Sequence, residues 1–474
     1  MKSYYTDYIK GLEWHIDRIK DIHKYKSIYL TGSFSRDEQK IGASDIDLDF
    51  IYPCYSHDIW EHTLDLCGIW KEGGHFFKRE GDKGLISFPK ISSEEDLVSL
   101  VQADPIRWMR KSKYAKLLHG QESYPAVQPN LANMNKDLTR LAVRELINMY
   151  YLLNVQYRFG EWNRGQWQRS LSEFFRCLIG MKTEIIVHRY EDICQWSSYL
   201  FGQKDLASEH MRIGNIAQDK SGYIYGTNKI NEWSKLLFEN MRIDHRELRQ
   251  IAVDKKKGCC VENISDDAIS ANGIWKAEEW WYQRHFKPYP NCTKIYVSLD
   301  DDLFYNCNPI HLLTTMNKNN HHFGNNYVAV FLPKSLFEMY TIFVEPRLGI
   351  EILGSYDDYS MDCNCKHDIA IYFFSMIGNY GEVYNSADIR KKIKKWMSKT
   401  ESVLSSLSYL LNGDILQTRN ETWKKWSQYG FETESNLIND CATENELRDY
   451  WKKKYPDWCN ELQTIKKSSS AGVR

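Results

Sequence analysis

The chain reads Leu-Thr-Gly-Ser-Phe-Ser-Arg at residues 30–36 and Ser-Asp-Ile-Asp-Leu-Asp-Phe at residues 44–50. A short run rich in β-branched and aromatic residues, 27–31, leads into the first segment and stops at Gly32. Such a run is typical of a buried strand, and a glycine is typical of the tight turn that ends one. The second segment alternates acidic and apolar residues with the two-residue period of a strand. The two segments therefore predict two strands, separated by a turn and a short polar stretch.

The turn at Gly32 and Ser33 has the chemistry of a phosphate-binding site. Glycine has no side chain, so a ligand can approach its backbone closely. Ser33 stands where a helix would begin, and its hydroxyl and the free N–H groups of a first helical turn would face an anion. We therefore predict that this turn seats a phosphate group.

Carboxylates line one face of the second predicted strand. With a period of two, Asp45, Asp47 and Asp49 point one way, and the apolar residues between them point into a core. Like charges at this spacing raise one another's pKa, so their clustering needs a compensating cation. Mg²⁺ prefers carboxylate and phosphate oxygens, and we expect it here, with Mn²⁺ as its substitute.

In this order the two segments resemble the signature of the DNA polymerase β-like nucleotidyltransferase superfamily, which is Gly-Ser, a nearby basic residue and then Asp-x-Asp. The resemblance implies that Gly32 and Ser33 hold a nucleoside triphosphate, with Arg36 beside it. It also implies that Asp45 and Asp47 are the catalytic residues and the metal ligands. Helix-like stretches at residues 4–24 and 57–70 flank the two strands, as this order requires.

Members of that superfamily usually carry a third carboxylate on a neighbouring strand. Here that strand is expected in a hairpin over residues 76–88, but its second arm, 85–88, contains no acid. The candidates for the third carboxylate are Glu80 at the end of the first arm, Asp82 in the turn, and Asp49. The missing acid leaves open a protein that binds nucleotide without transferring it.

Composition excludes several classes of protein. Hydrophobic residues make up 42% and charged residues 26% of the 474 residues, which is typical of a soluble globular protein. The formal net charge of −1 provides no global basic field for non-specific binding of nucleic acid. No apolar run approaches the ~20 residues that span a bilayer, and the N-terminus lacks an apolar signal core. We therefore expect a cytoplasmic protein without a membrane partner.

The fold class expected is α+β, with three domains. A nucleotidyltransferase domain with a mixed sheet flanked by helices is predicted at 1–130, and its last helix is expected to run from Pro105 to Gly120. A helical bundle is predicted at 131–253, with antiparallel helices at 138–153 and 162–187. An accessory α+β domain of unknown role is predicted at 272–474. Strands are expected there at 293–299, 327–332, 340–344 and 349–353, followed by helices at about 368–411 and 421–466.

The predicted bundle resembles the one that follows the catalytic domain of kanamycin- and lincosamide-type nucleotidyltransferases. The resemblance implies that it supplies contacts to the acceptor. Glu145 and Glu173 are the candidates for an acceptor-side base or amine binder. Arg140 and Arg144, one helical turn apart, are candidates for reaching the triphosphate.

Together these features predict an enzyme that moves a nucleoside monophosphate from an NTP, ATP foremost, to a hydroxyl of a small molecule and releases pyrophosphate. The large C-terminal region also favours a macromolecular acceptor such as tRNA or protein. Synthesis of a cyclic oligonucleotide would use the same site. From a different class, a non-catalytic nucleotide sensor or a toxin–antitoxin or defence protein stays open. The sequence does not indicate the oligomeric state.

Overall fold

The computed structural model describes residues 2–20, 25–39, 44–73, 86–125, 131–160, 162–216, 219–241, 273–276, 293–318, 327–344, 358–416, 419–431 and 443–472. Contacts between residues divide the chain into two compact units. The first unit comprises Met1–Gln128 together with Cys363–Arg474, and the second comprises Pro129–Asp362. Within the described ranges, no helix is long and apolar enough to cross a membrane.

The N-terminal part of the first unit alternates helices and short strands. Its elements are α1 (Lys2–Ile19), β1 (Ser27–Thr31), α2 (Gly32–Ser35), β2 (Asp47–Tyr52), α3 (Ile59–Gly73), β3 (Lys90–Ser93), α4 (Glu94–Ala103), α5 (Pro105–Tyr114) and β4 (Lys116–Gly120). The strands form one sheet in the order β3-β2-β1-β4. β1 is antiparallel to β2 and β4, whereas β2 and β3 are parallel. This mixed sheet with flanking helices confirms the predicted α+β class.

The second unit begins with long helices and continues into a small sheet. Its elements are α6 (Leu131–Phe159), α7 (Arg164–Thr183), α8 (Tyr190–Phe201), α9 (Leu206–Ile216), α10 (Lys220–Asn240), β5 (Gly273–Lys276), β6 (Thr293–Leu299), α11 (Asp301–Asn306), α12 (Pro309–Lys318), β7 (Tyr327–Pro333) and α13 (Lys334–Met339). α6 and α7 are antiparallel, since Gly180 near the end of α7 packs against Leu138 near the start of α6, and Asn148 bonds Ser170. The predicted antiparallel pair is therefore confirmed, as are strands at 293–299 and 327–332.

The C-terminal part of the chain is helical in its described residues. Its elements are α14 (Asp358–Tyr384), α15 (Ile389–Asn412), α16 (Arg419–Trp426) and α17 (Glu444–Gly472). α15 begins after Asp388, whose carboxylate accepts a hydrogen bond from the N–H of Lys391, and ends at Gly413 in the left-handed conformation with φ of 71°. An acceptor at the first position and a left-handed glycine at the last are strong signals for the two ends of a helix.

These C-terminal helices share one hydrophobic core with the N-terminal sheet. Ile28 of β1 and Phe50 of β2 belong to the same buried cluster as Phe373 and Met376 of α14 and Trp458 of α17. The contacts therefore divide the chain differently from the predicted domains 1–130, 131–253 and 272–474. The predicted accessory segment is split between the two units, because its helices bury their apolar faces against the sheet of the N-terminal domain.

One predicted helix end is wrong. The segment from Lys116 to Gly120 is not the last turn of a helix but strand β4, which pairs with β1. Gly120 ends this strand with φ of 88°, and its Cα lies so close to the backbone of Lys26 that a Cβ would fall 2.1 Å from that carbonyl oxygen. Gly120 thus allows β4 to approach the backbone at the start of β1 closely, and it does not cap a helix.

One predicted strand is also wrong. Tyr340–Val344 forms a π-helical turn that continues α13. Tyr340, Thr341, Phe343 and Val344 are buried, and Tyr340 packs against Tyr296 of β6. Such residues fill a buried turn as well as a strand, so composition alone cannot separate the two. The predicted strand at 349–353 lies outside the described residues.

The packing of α14 on the sheet makes a testable prediction. A Cβ at Gly378 would lie 2.7 Å from the carbonyl oxygen of Pro89 and 3.0 Å from the nitrogen of Ile91. Since backbone atoms cannot move aside cheaply, Gly378→Ala should lower the free energy of unfolding by about 1–3 kcal/mol, as overpacked cores do. Urea unfolding followed by tryptophan fluorescence measures this.

The matched control is Gly68→Ala in α3, where a Cβ would meet no atom within 4 Å. This change should leave stability unchanged or raise it by about 0.5–1 kcal/mol, because alanine favours the helical backbone. Equal behaviour of the two variants would mean that α14 does not pack on the backbone of β3.

Candidate active site

The candidate site lies where β1 ends beside the beginning of β2. In the antiparallel register Thr31 pairs with Asp47, so Gly32 follows directly opposite the carboxylates. Ile46, Leu48 and Phe50 are buried in the core with 0%, 1% and 0% exposure. The two-residue period of a strand therefore sends the intervening aspartates to the opposite face, as predicted.

Gly32 packs directly against the carboxylate of Asp47. Its φ is 75°, in the left-handed region, and a Cβ at this position would lie 2.1 Å from Asp47 Oδ2. Only glycine combines this backbone conformation with so close an approach. The turn and the carboxylate thus form one compact unit.

Asp47 is partly buried, with 31% of its side chain exposed, whereas Asp45 is exposed. Burial is the largest cause that raises the pKa of Asp47 above its usual range. The positive charge of Lys90, whose Nζ lies 3.8 Å from Asp47 Oδ1, opposes this rise, and the negative charge of Asp45 adds to it. Asp45 itself accepts a hydrogen bond of 2.5 Å from the Ser87 hydroxyl. The ionised form of Asp47 therefore lacks full compensation from the chain.

The donor chemistry of this pair fits a magnesium ion. Mg²⁺ in proteins is usually held by one or two carboxylates, together with substrate phosphates and water. Asp45 and Asp47 supply two carboxylates, and the raised pKa of Asp47 is the mark of a negative charge that a cation would stabilise. In the part of the chain that the structure describes, no group of three or more His, Cys, Asp or Glu side chains is placed to hold a metal ion.

Asp49 differs from the two aspartates before it, because its carboxylate is fully buried. It forms an ion pair with Lys111 and accepts a short hydrogen bond from the hydroxyl of Tyr124. Burial is the main cause that lowers the pKa of Lys111 to about 8, and the charge of Asp49 opposes this fall. These contacts already occupy the carboxylate that was a candidate for the third metal ligand.

The strand beside β2 carries a lysine in place of the expected acid. β3 pairs with β2 in parallel, and Lys90 stands opposite Asp49 in the register. Before it, Ile86 forms a single parallel bridge with Ile46, so the arm predicted at 85–88 is only partly a strand. Glu80 and Asp82, the other candidates for the third carboxylate, lie outside the described residues.

Ser33 and Arg36 lie in the turn that follows β1. Both are partly buried, and the carbonyl oxygen of Ser33 accepts hydrogen bonds from the N–H groups of Arg36 and Glu38. Arg36 Nε also donates a hydrogen bond of 2.6 Å to Glu38 Oε2. The turn is thus closed by its own backbone, and Arg36 is held beside it by an internal ion pair.

The two candidate acceptor-side acids lie in the second unit and have partners of their own. Glu145 is buried on α6 and accepts hydrogen bonds from Arg144, at 2.6 Å, and from the hydroxyl of Ser170, at 2.8 Å. Glu173 on α7 forms an ion pair with Arg176. Arg140, the other candidate arginine, lies 3.8 Å from Asp137. Glu145 therefore contributes to the packing of α6 on α7, whereas the ion pair of Glu173 lies within α7. The role of either acid toward an acceptor stays a prediction.

The sequence alone did not predict three side chains that contact the aspartates of β2, namely Lys90, Lys111 and Tyr124. Lys90 follows a proline at the start of a short strand, and Lys111 lies on a predicted helix with several other basic residues. Tyr124 lies in the segment that follows β4. The strand register places Lys90 beside β2, and tertiary packing brings Lys111 and Tyr124 to Asp49, so no local signal identifies them.

A comparison with protein families identifies the domain that holds this site. Residues 12–116 match the family model described as a nucleotidyltransferase domain. They contain both the Gly32–Ser33 turn and the Asp45–Asp47 pair, which confirms the resemblance to the polymerase β-like superfamily. Searches among curated proteins and among solved structures found no match.

Proposed function

We propose that this chain is a magnesium-dependent nucleotidyltransferase of the cytoplasm. It transfers a nucleoside monophosphate from an NTP, ATP foremost, to a hydroxyl of a small molecule and releases pyrophosphate. The observation that carries the proposal is the contact between Gly32 and the Asp47 carboxylate, next to Asp45, inside the matched domain. A phosphate-binding turn and a pair of metal-binding carboxylates then meet at one point.

Each residue of the site has a role in this proposal. Asp45 and Asp47 hold Mg²⁺, or Mn²⁺ in its place. Bound there, the metal would neutralise charge on the phosphates and lower the pKa of the acceptor hydroxyl. Gly32 and Ser33 orient the phosphates through the backbone and the hydroxyl, and Arg36 lies beside them. The chain thus supplies position and charge, which is most of what phosphoryl and nucleotidyl transfer require.

In the proposal Asp49 is a positioning residue. Its buried ion pair with Lys111 and its hydrogen bond with Tyr124 hold β2 in position. Asp47 is two residues away on the same face of the strand, so this network holds the metal-binding carboxylate in place. Two carboxylates and the substrate's own phosphates are a sufficient ligand set for Mg²⁺.

A small acceptor is supported by the net charge of −1, since proteins that bind RNA non-specifically are usually basic.

The proposed transfer reaction is tested by incubating the full chain with Mg²⁺ and α-labelled NTPs in three ways: alone, with total RNA, and with a small-molecule extract. We expect label to enter a small molecule only with the extract, with equal release of pyrophosphate. Label in RNA, in the protein or in a cyclic product would assign the acceptor to one of the alternative classes.

A nucleotide-binding protein without transferase activity is the second candidate. Lys90 favours it, because a cation stands 3.8 Å from Asp47 on the strand where relatives usually carry an acid. The same incubations separate the two candidates. Tight, Mg²⁺-dependent binding of NTP in calorimetry, without pyrophosphate release in any of the three incubations, would support the non-catalytic protein.

A further inference from the structure

Lys90 and Lys111 both pair with aspartates of β2, but they are held differently. Lys111 pairs with Asp49, whose carboxylate is fully buried, and only 15% of the lysine side chain is exposed. Lys90 pairs with Asp47, and 47% of its side chain is exposed. Lys111 is therefore tied to a buried carboxylate, whereas Lys90 contacts one of the two candidate metal ligands and stays accessible to a ligand.

The position of Lys90 is fixed by its neighbours in the sheet. β3 pairs in parallel with β2, which places Lys90 opposite Asp49. The next residue, Ile91, is fully buried, and Gly378 of α14 packs against the backbone of residues 89–91. The lysine side chain therefore starts from a well-held strand, and its Nζ lies 3.8 Å from Asp47 Oδ1.

The two carboxylate oxygens of Asp47 face different groups. Oδ2 lies against the turn, since a Cβ at Gly32 would fall 2.1 Å from it, whereas Oδ1 lies 3.8 Å from Lys90 Nζ. The two ions of a two-metal site lie about 3.5–4 Å apart, on opposite sides of the groups that they share. Asp47 thus stands between the proposed phosphate-binding turn and the ammonium group of Lys90.

The charges at this point suit one divalent ion and not two. A single Mg²⁺ compensates the carboxylates of Asp45 and Asp47. A second ion would lie beside the ammonium group of Lys90, and like charges so close repel each other. Among the described residues no third acid joins this pair in a metal-binding group, and the carboxylate of Asp49 is already paired with Lys111.

We propose that Lys90 takes the place of a second metal ion, so that the site binds a single Mg²⁺ through Asp45 and Asp47. The ammonium group then supplies the second positive charge beside the phosphates from the chain itself. Its compact charge and three N–H donors suit phosphate oxygens. This part in transfer rests on the proposed function, whereas the number of bound ions does not depend on any reaction.

The first test counts metal ions without nucleotide, by calorimetry and electron paramagnetic resonance of the full chain with Mn²⁺. The parent chain should bind one ion at the site, with the spectrum of an isolated Mn²⁺. Lys90→Glu should bind two magnetically coupled ions, because a third carboxylate completes a site for ions about 3.5–4 Å apart. Lys90→Met should bind one ion about tenfold more tightly than the parent, because a like charge beside the ion is removed.

Lys116→Met is the matched control for metal binding. Lys116 lies in the same domain and is 50% exposed, but it pairs with Asp37 and not with an aspartate of the site. Its Mn²⁺ affinity should stay within about twofold of the parent, since solvent and salt screen exposed charges that do not contact the ligands of the ion. A coupled pair of ions in the parent, an isolated ion in Lys90→Glu, or equal affinities in Lys90→Met and Lys116→Met would overturn the proposal.

The rate of transfer separates the proposed role of Lys90 from a purely structural one. Lys90→Met should bind the metal more tightly and yet lower pyrophosphate release by about 10²–10³, the typical cost of one preorganised group that stabilises developing charge. Lys90→Arg keeps a positive charge and should retain more activity than Lys90→Met. Tighter metal binding without loss of rate would show that Lys90 only competes with the metal, and would overturn its role beside the phosphates.

The two kinds of measurement also separate this inference from the proposed function. A parent chain that binds a single Mn²⁺, and a coupled pair in Lys90→Glu, but consumes no NTP with any acceptor would refute the transferase and leave the single-ion site standing. A chain that transfers nucleotide with two coupled ions in the parent would support the transferase and refute the inference.

Discussion

Asp47→Asn is expected to reduce NTP-dependent pyrophosphate release by at least about a thousandfold, while the protein stays folded. Loss of one preorganised group that stabilises transition-state charge typically costs about 10²–10³ in rate, and a metal ligand affects both the metal and the phosphates that it holds. Asparagine has nearly the same shape and keeps the packing against Gly32. The change therefore removes the negative charge and leaves the turn in place.

The stability of this variant should move in the opposite direction to its activity. Burial raises the pKa of Asp47 in the folded chain, so the ionised carboxylate is less favourable there than in the unfolded chain. The sign follows from linkage: an acid with a raised pKa loses stability as the pH rises from its unfolded-state pKa through its folded-state pKa, and the whole cost is present above the latter. Asparagine removes this cost. Thermal unfolding at pH 7 should therefore give a melting temperature equal to or above that of the parent.

Asp37→Asn is the matched control. Asp37 lies in the same domain and its carboxylate pairs with Lys116 at 3.3 Å, but its side chain is 72% exposed. Exposed ion pairs contribute about 0–1 kcal/mol, so neither activity nor stability should change appreciably. Full activity in Asp47→Asn would show that this carboxylate holds no metal. Loss of activity together with loss of stability would assign it a structural role instead.

The centre of the site could be predicted because its signals are local. The alternation of Asp45, Asp47 and Asp49 with apolar residues determines which face each side chain occupies, whatever the rest of the chain does. Gly32 likewise marks a turn without reference to distant residues. The alternating segment at residues 45–50 thus specifies both the strand and the side of the sheet on which its carboxylates lie.

The errors arose where local composition fits two structures. The segment from Lys116 to Gly120 continues a helical pattern, yet it forms β4 because β1 offers it an unpaired edge. Tyr340–Val344 has the composition of a strand, yet it is a π-helical turn. In both segments contacts with residues elsewhere in the chain select the secondary structure, so local propensity gives only a weak preference.

The lysines of the site could not be predicted, since they depend on packing over long separations. Lys90 reaches Asp47 through the parallel register of β3 with β2, and Lys111 reaches Asp49 from α5, some sixty residues further along the chain. Sequence reasoning therefore identified the carboxylates, and the structure adds the cations that surround them.

Gly32→Ala should lower transfer activity by about a hundredfold or more, since a displacement of about 1 Å at a reacting group costs about that much. The new Cβ would lie 2.1 Å from Asp47 Oδ2, so the carboxylate must move away from the turn. Alanine is also strained at a φ of 75°, and the left-handed conformation adds about 1–2 kcal/mol of lost stability. Initial rates and urea unfolding, measured on the same preparation, give the two effects separately.

Gly120→Ala separates strain from misplacement, because the two glycines lie at opposite ends of β1. Gly120 has a φ of 88°, and its Cβ would meet the Lys26 carbonyl oxygen at the same 2.1 Å, but no carboxylate of the site is involved. Both variants should lose stability, and only Gly32→Ala should lose activity in the folded fraction. If the two variants lost activity in proportion to stability, the contact between Gly32 and Asp47 would have no role beyond folding. If Gly32→Ala alone is inactive, the position of Asp47 limits the reaction, and the glycine is required because it alone leaves room for that carboxylate.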